Sequence, residues 1–543
     1  MEKKAGLAIF LSLLVLITFS YYSNKKLPKK EEVLKRNEQI VQPTPTKEIS
    51  GGKIQLSAET SVAGPTRAIA KSTPYSKRHP SVEIPVETDL YRLVLSGEGN
   101  ILKLGLKNFR REKEIKEGKL FSLVSVDSIF HPLEFTDWGK DISYRADKKS
   151  LYLDQENKIG KIILKGKNRD GLQVSKIITF DNNRYGFDFT VKIKNLSSQE
   201  KLLNKMAILC GSGFASEKKG ASRFNVEENQ ISTNGEITKF RAGKVKEKRT
   251  ISETNWVAQK SQYLLLFLKP FSGTNSFIYP EKKKLILGID VPSFIIPGKG
   301  IVEKKFFFYG GPAEYEITKA EGKGVEKTVE GGLFVTLGRF ILKILTFFYN
   351  IVGNWGWAIV ILTIMLKILL FPLSRSSFRS ISQMQKLQPY LKDLKTKYKG
   401  NTQMMNKEMM ELYRKYKINP LGGCLPMLAQ MPVFIAFFFM LRNAVVLRGA
   451  KFIFWINDLS LPDTVITISN FPGGGINILP LLMGASMLVQ QKMTATDPNQ
   501  KMMAMMMPIF FTFIFYNFPS GLLVYWLLTN ILSIFEQKLI GKK

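Results

Sequence analysis

Two periodicities divide this chain. Between residues 82 and 312 apolar and polar positions alternate: Val82, Ile84 and Val86 share a face, and Tyr185, Phe187, Phe189, Val191 and Ile193 mark a longer run. Period-two alternation predicts half-buried strands. Turn residues separate the runs, as in Gly97-Glu98-Gly99-Asn100 and Asp181-Asn182-Asn183, and residues 263–268 and 304–309 add further strands. The stretch reads as an all-β sandwich. From Leu333 the period turns helical, with Leu333, Leu337, Phe340, Ile341, Ile344 and Phe348 on one side and Thr336, Arg339, Lys343, Thr346 and Asn350 on the other. Such a helix lies in a membrane interface or packs on the β domain. Trp355 and Trp357, typical of a headgroup belt, favour the membrane.

Beyond that point apolar runs dominate. Residues 355–373, 421–441, 476–490, 503–518 and 521–535, together with 5–22, are six candidate membrane spans. The four residues Phe518-Pro519-Ser520-Gly521 are too few to cross anything, so the last two spans form a tight antiparallel pair. Between the second and third spans, residues 374–419 carry eleven Lys or Arg against three acids, a bias that marks cytoplasmic loops. Within it Met384, Leu387, Leu391, Leu394 and Tyr398 recur at helical spacing, as do Met405, Met409, Leu412 and Tyr416, around Lys399-Gly400-Asn401. A helical hairpin is predicted. Both termini then face the cytoplasm and the β domain the periplasm.

The start of the chain fits this plan. Residues 1–23 place Glu2-Lys3-Lys4 before an apolar run with no small-residue cleavage site after it, which predicts an uncleaved transmembrane anchor. Residues 24–81 are too poor in large apolar side chains to offset their chain entropy, and read as a flexible periplasmic tether. The expected order is therefore anchor 1–23, tether 24–81, β domain 82–332, interfacial helix 333–350 and a membrane core 351–543 containing the hairpin 374–419.

Composition narrows the chemistry. The formal charge is +34, from 79 Lys and Arg against 45 Asp and Glu, but the excess is spread along the chain and no nucleic-acid motif accompanies it. Sequence-specific nucleic-acid binding is not expected. The two histidines, His79 and His131, fall in the tether and the β domain, and the two cysteines, Cys210 and Cys424, fall on opposite sides of the membrane. Acid–base pairs, metal sites and disulfides are therefore not expected, and neither an enzyme nor a cofactor is predicted.

One residue in the spans stands out. Lys367 is the single charge in residues 355–373, and a lysine in hydrocarbon costs roughly 2.5–3.5 kcal/mol. It must face a polar cavity, find a partner or snorkel about seven residues, roughly 10 Å, to Ser374 and Arg375.

The run NPLGGCLPMLAQMPVFIAFFFML at 419–441, FPSGLLVYWLLTN at 518–530 and ETDLYRLVLSGEGNILKLGLKN at 87–108 resemble the YidC/Oxa/Alb membrane-protein insertases, in the Gram-negative form with an added β domain. The resemblance implies a polytopic α-helical membrane protein of the bacterial inner membrane. Its five-helix insertase core would enclose a hydrophilic groove, and its periplasmic domain would have a galactose-mutarotase-like β-supersandwich fold. It places the basic groove residue on Lys367, five before Pro372, with Thr363 a turn earlier, and other groove-lining positions on Gln430 and Trp526. Lys stands where the family usually has Arg, which keeps the charge but loses the planar five-donor fork. The implied partners are nascent membrane proteins, the Sec translocon, membrane lipids and, through the hairpin, the ribosome. From another class, a secondary transporter or channel also places a charge in a span, but would show several broken spans and inverted repeats.

Overall fold

The computed structural model describes residues 82–541 except 110–111, 126–127, 129, 137, 139–141, 205, 216–226, 283, 417, 420–424, 469–473 and 495–497. The expected anchor and tether lie outside the described residues.

Alternation becomes sheet in the first half. Leu172–Asp181 buries every second side chain, Leu172, Val174, Lys176, Ile178 and Phe180, and the turn at Asp181 to Asn183 returns the chain along Gly186–Asn195, which buries Phe187, Phe189, Val191 and Ile193. These two strands lie in an antiparallel sheet of nine among the described residues. Its spatial order is Glu236–Phe240, Glu228–Thr233, Thr254–Lys260, Leu264–Pro270, Ile301–Pro312, Gly186–Asn195, Leu172–Asp181, Ile159–Lys167 and Tyr144–Ala146. A five-stranded sheet built on Tyr91–Ser96 and a four-stranded sheet built on Lys284–Val291 share one apolar core with it. Aromatic rings lock the centre, with Phe187 against Phe180 at 4.9 Å and against Phe308 at 5.1 Å between centroids. Gly99, at φ +81°, makes the turn between Tyr91–Ser96 and Ile101–Leu106. One expectation fails locally: Val82 is exposed, because the strand Glu83–Glu87 starts beyond it.

Ten helices occur among the described residues. Two short ones, α1 (Glu112–Lys116) and α2 (Tyr315–Glu321), belong to the β half. The rest are α3 (Leu333–Val352), α4 (Trp355–Lys386), α5 (Gln388–Lys397), α6 (Thr402–Lys415), α7 (Leu425–Asn443), α8 (Ile478–Thr494), α9 (Pro498–Phe515) and α10 (Ser520–Gly541). By length and composition α3 and α4 are each able to cross a membrane. The corner between them is local chemistry: Gly353 takes φ +68°, and the Asn354 side chain accepts from the backbone N–H groups of Gly356 and Trp357 at 2.8 and 3.2 Å.

The core of the helical half gathers Ile341, Leu345, Ile359, Leu362, Phe437, Leu441, Met483, Leu522 and Tyr525. Helix α4 packs chiefly on α10, α3 on α7, and α8 on both α9 and α10. A side-chain carbon at Gly338 would stand 2.8 Å from the carbonyl oxygen of Ala436, so the glycine sets the approach of α3 to α7. Pro372 does not end α4, which runs on to Lys386. Prolines also lie inside α7, at Pro432, and inside α9, at Pro508. The hairpin therefore begins as a continuation of α4, breaks at Leu387 and turns at Gly400, φ +97°, between α5 and α6.

Several contacts among the described residues join the halves, including a Lys343–Glu316 ion pair at 3.1 Å. Arg448, just past α7, is buried against the β half: it donates to both carboxylate oxygens of Glu114 at 2.6 and 2.8 Å and to Phe109 O at 2.6 Å, with its guanidinium 3.6 Å from the Phe121 ring centre. Gln262 Nε2 donates to Arg442 O at 2.9 Å, and Val445 lies in the core of the β half.

Candidate functional site

The last helix carries a polar row that the packing of α4 and α7 explains. Tyr525, Thr529, Ser533 and Glu536 follow one another at four, four and three residues, so they form one stripe along α10. Lys367 reaches it from α4, where its Nζ donates to Ser533 Oγ at 2.5 Å and to Glu536 Oε2 at 3.2 Å. Gln430 reaches it from α7, where Nε2 donates to Tyr525 Oη at 3.0 Å and Thr529 Oγ1 at 3.4 Å. Ser533 Oγ donates onward to Thr529 O at 2.9 Å. Three helices thus converge on one polar seam.

Lys367 is therefore not the lone charge that its run of apolar neighbours made it. Its side chain is 11% exposed and that of Glu536 is 13% exposed, so neither is a surface ion. At 3.2 Å and an effective dielectric near 20 the attraction is about 5 kcal/mol. Two charges in hydrocarbon cost roughly 5–7 kcal/mol together. The terms nearly cancel, so the pair is tolerated without being a strong clamp, and either member is exchangeable for a group of the same charge.

The other expected residues fall in different surroundings. Thr363 is buried, and its hydroxyl donates to Ile359 O at 2.7 Å on its own helix. Trp526, one position round α10 from Tyr525, stands among Phe434, Phe515 and Phe511, at centroid distances of 4.5, 5.3 and 6.2 Å. The structure brings Lys367 and Gln430 onto one seam and sets Trp526 on the apolar wall beside it. Sequence reasoning missed Tyr525, Thr529, Ser533 and Glu536. The signal was their shared helical spacing inside a run read only for its hydropathy.

Next to the seam the helices present apolar surface. Ile368 and Leu369 flank Lys367 at 69% and 72% exposure, and α9 exposes Ile509, Phe510 and Phe513. α7 adds Leu428 and Met431. A polar line bordered by exposed Ile, Leu, Phe and Met suits a helical ligand with a polar end and an apolar body. Among the described residues no cluster of His, Cys, Asp or Glu is placed to hold a metal.

Comparison with known proteins fits this division of the chain. Residues 83–344 match the family model of the YidC periplasmic domain, and residues 347–543 match the 60Kd inner membrane protein model. The membrane protein insertase YidC of Pelobacter propionicus is 34% identical over 558 aligned residues, covering 100% of this chain and 99% of the relative. The chain belongs to the YidC family of membrane protein insertases. The YidC of Syntrophus aciditrophicus is likewise 34% identical, with all of both chains covered. Among solved structures, the chain is similar to an active YidC insertase crystal structure with its first transmembrane domain resolved, at 18% identity and a TM-score of 0.37, covering 83% of this chain and 91% of that one. YidC proteins are insertases of the inner membrane and not an enzyme family, and the β-rich half corresponds to the periplasmic domain of the family.

Proposed function

We propose that this YidC-family chain inserts nascent membrane proteins by exchanging the Lys367–Glu536 contact for a contact between Lys367 and the polar leading tail of its substrate. The observation that carries the reading is the Lys367–Glu536 ion pair on a polar seam bordered by exposed apolar helix faces. A nascent helix approaches along α5 and α6. Its tail enters between α4 and α10, where Ser533, Thr529 and Gln430 offer hydrogen bonds, and its apolar body lies along α7 and α9. The seam shortens the hydrocarbon that the tail must cross, and opposite charge lowers its desolvation cost. Apolar burial drives the step, and release follows as the helix partitions laterally into lipid.

In this reading the bilayer is crossed six times, residues 5–22 forming the first span and α4, α7, α8, α9 and α10 the others. α3 lies along the periplasmic interface, both termini face the cytoplasm, and the β half is a periplasmic supersandwich. The basic hairpin meets ribosomes or anionic lipid, and the chain works alone or beside a Sec translocon. Depleting an endogenous insertase and supplying this chain tests the function. Rescue of small Sec-independent membrane proteins is expected, and failure at normal membrane levels contradicts it.

A further inference from the structure

A cavity of about 300 Å³ lies away from the seam, where the β half meets the ends of α3 and α7. Its walls differ in chemistry. Lys239, Arg241 and Lys260 line it from the β half, and Arg339 of α3 and Arg442 of α7 complete a set of five cations. Against these stand Glu228, whose carboxylate lies 3.3 Å from Lys239, the exposed Glu330, and Glu314. Glu314 is pushed up to about 7 by burial and by the neighbouring charge of Glu316, so it subtracts less than a full charge. Lys260 is pushed down to about 8 by burial and then by the positive charge of Lys239. Arg339 sits 4.0 Å over the Tyr315 ring, donates from Nη2 to Thr336 Oγ1 at 3.3 Å, and has a buried Nε without a hydrogen-bond partner. The opposite wall is apolar: Leu342 of α3 with Phe439 and Met440 of α7.

We propose that this cavity binds the phosphate of an anionic phospholipid headgroup at the periplasmic face of the membrane, with the acyl end of the lipid turned toward α3 and α7. Crowded cations with an unbonded guanidinium N–H recognise a phosphodiester anion. A free phosphate accounts for the cations but not for the apolar wall, and that wall favours the lipid. The site joins β half, α3 and α7, so the bound lipid fixes the height of the periplasmic domain on the membrane.

The test uses the full chain in neutral detergent, with short-chain phosphatidylglycerol, phosphatidylcholine of the same acyl length and inorganic phosphate as probes. Native mass spectrometry counts retained lipid, and a titration of melting temperature gives relative affinity. Phosphatidylglycerol is retained by the unmodified chain and by Lys343→Gln, a change on the exposed side of α3. It binds at least about tenfold more weakly to the Arg339→Gln/Lys260→Gln double variant. If the double variant does not fold, Arg241→Gln at the exposed rim reads the same loss. Equal retention of phosphatidylcholine, or undiminished phosphatidylglycerol binding by the folded variants, overturns the proposal. Inorganic phosphate displacing the lipid at equal concentration overturns its lipid half.

Discussion

Lys176 in the β half and Lys367 in the helical half both stand largely out of solvent at positions that the local period reserves for apolar side chains, and the two are held in different ways. Lys176 occupies the core-facing register of Leu172–Asp181, is 2% exposed, and donates to the backbone carbonyl of Glu98 at 2.7 Å beneath the Phe135 ring at 3.9 Å. Among the described residues no carboxylate is hydrogen-bonded to it, and burial pushes its ammonium down to about 7 against the opposing charges of Glu98 and Glu134. Lys367 instead has a carboxylate, Glu536, and a hydroxyl, Ser533. A lysine held by a carbonyl and ring faces has no hydrogen-bonded counter-ion to exchange. One held by a carboxylate has such a partner, and in the proposed exchange that partner is what an acidic group of the substrate replaces.

The largest expected effect comes from stripping Lys367 of its partner. Glu536→Ala leaves a buried cation uncompensated, at a cost of about 3–5 kcal/mol, and melting of the detergent-solubilised chain should show it. The Lys367→Ala/Glu536→Ala double variant should recover a large part of that loss. A double variant as unstable as the sum of the singles would mean that the two do not interact.

A smaller effect is expected where the halves join. Arg448→Ala removes a bidentate contact to Glu114 and the bond to Phe109 O, and should destabilise docking of the β half by about 2 kcal/mol. Proteolysis near α1 should then accelerate while insertion continues, because the seam residues all lie beyond Leu333. Parallel loss of insertion would show that the periplasmic half positions the seam.

Lys176 predicts a signal of another kind, spread over pH as a slope and confined to the β half. Its folded value near 7 lies below the 10.5 of an unburied lysine, so between those limits the unfolded chain binds more protons and stability rises with pH. Below about 7 both states are protonated and this contribution no longer changes. Lys176→Met should remove that part of the slope between pH 7 and 10, read as the difference in melting temperature between variant and unmodified chain. Identical slopes would place the titration elsewhere.

Much of the fold was legible because each half keeps one period. The alternation Phe187, Phe189, Val191, Ile193 and the apolar runs behind α4, α7, α8, α9 and α10 name their own elements. Boundaries were less legible: the apolar run stops at Leu373, yet α4 continues through Pro372 to Lys386. At the site, Lys367 stood out as a charge against an apolar background. Its partner did not, since Glu536 lies one residue past the apolar run and 169 residues from Lys367. Only the packing of α4 on α10 unites them. Trp526 and Thr363 show the converse, since neighbours on the helix wheel settle which side of the seam a residue faces and the sequence holds no record of the facing helix.

The central claim is that Lys367 exchanges Glu536 for an acidic group of the substrate. Insertion of one substrate bearing either Asp or Asn in its leading tail, by the unmodified chain and by Lys367→Ala, tests it most directly. Selective loss of the Asp tail in the variant, with recovery in Lys367→Arg, is the predicted result. Equal loss of both tails would contradict an electrostatic role and leave the lysine as a hydrated part of the seam.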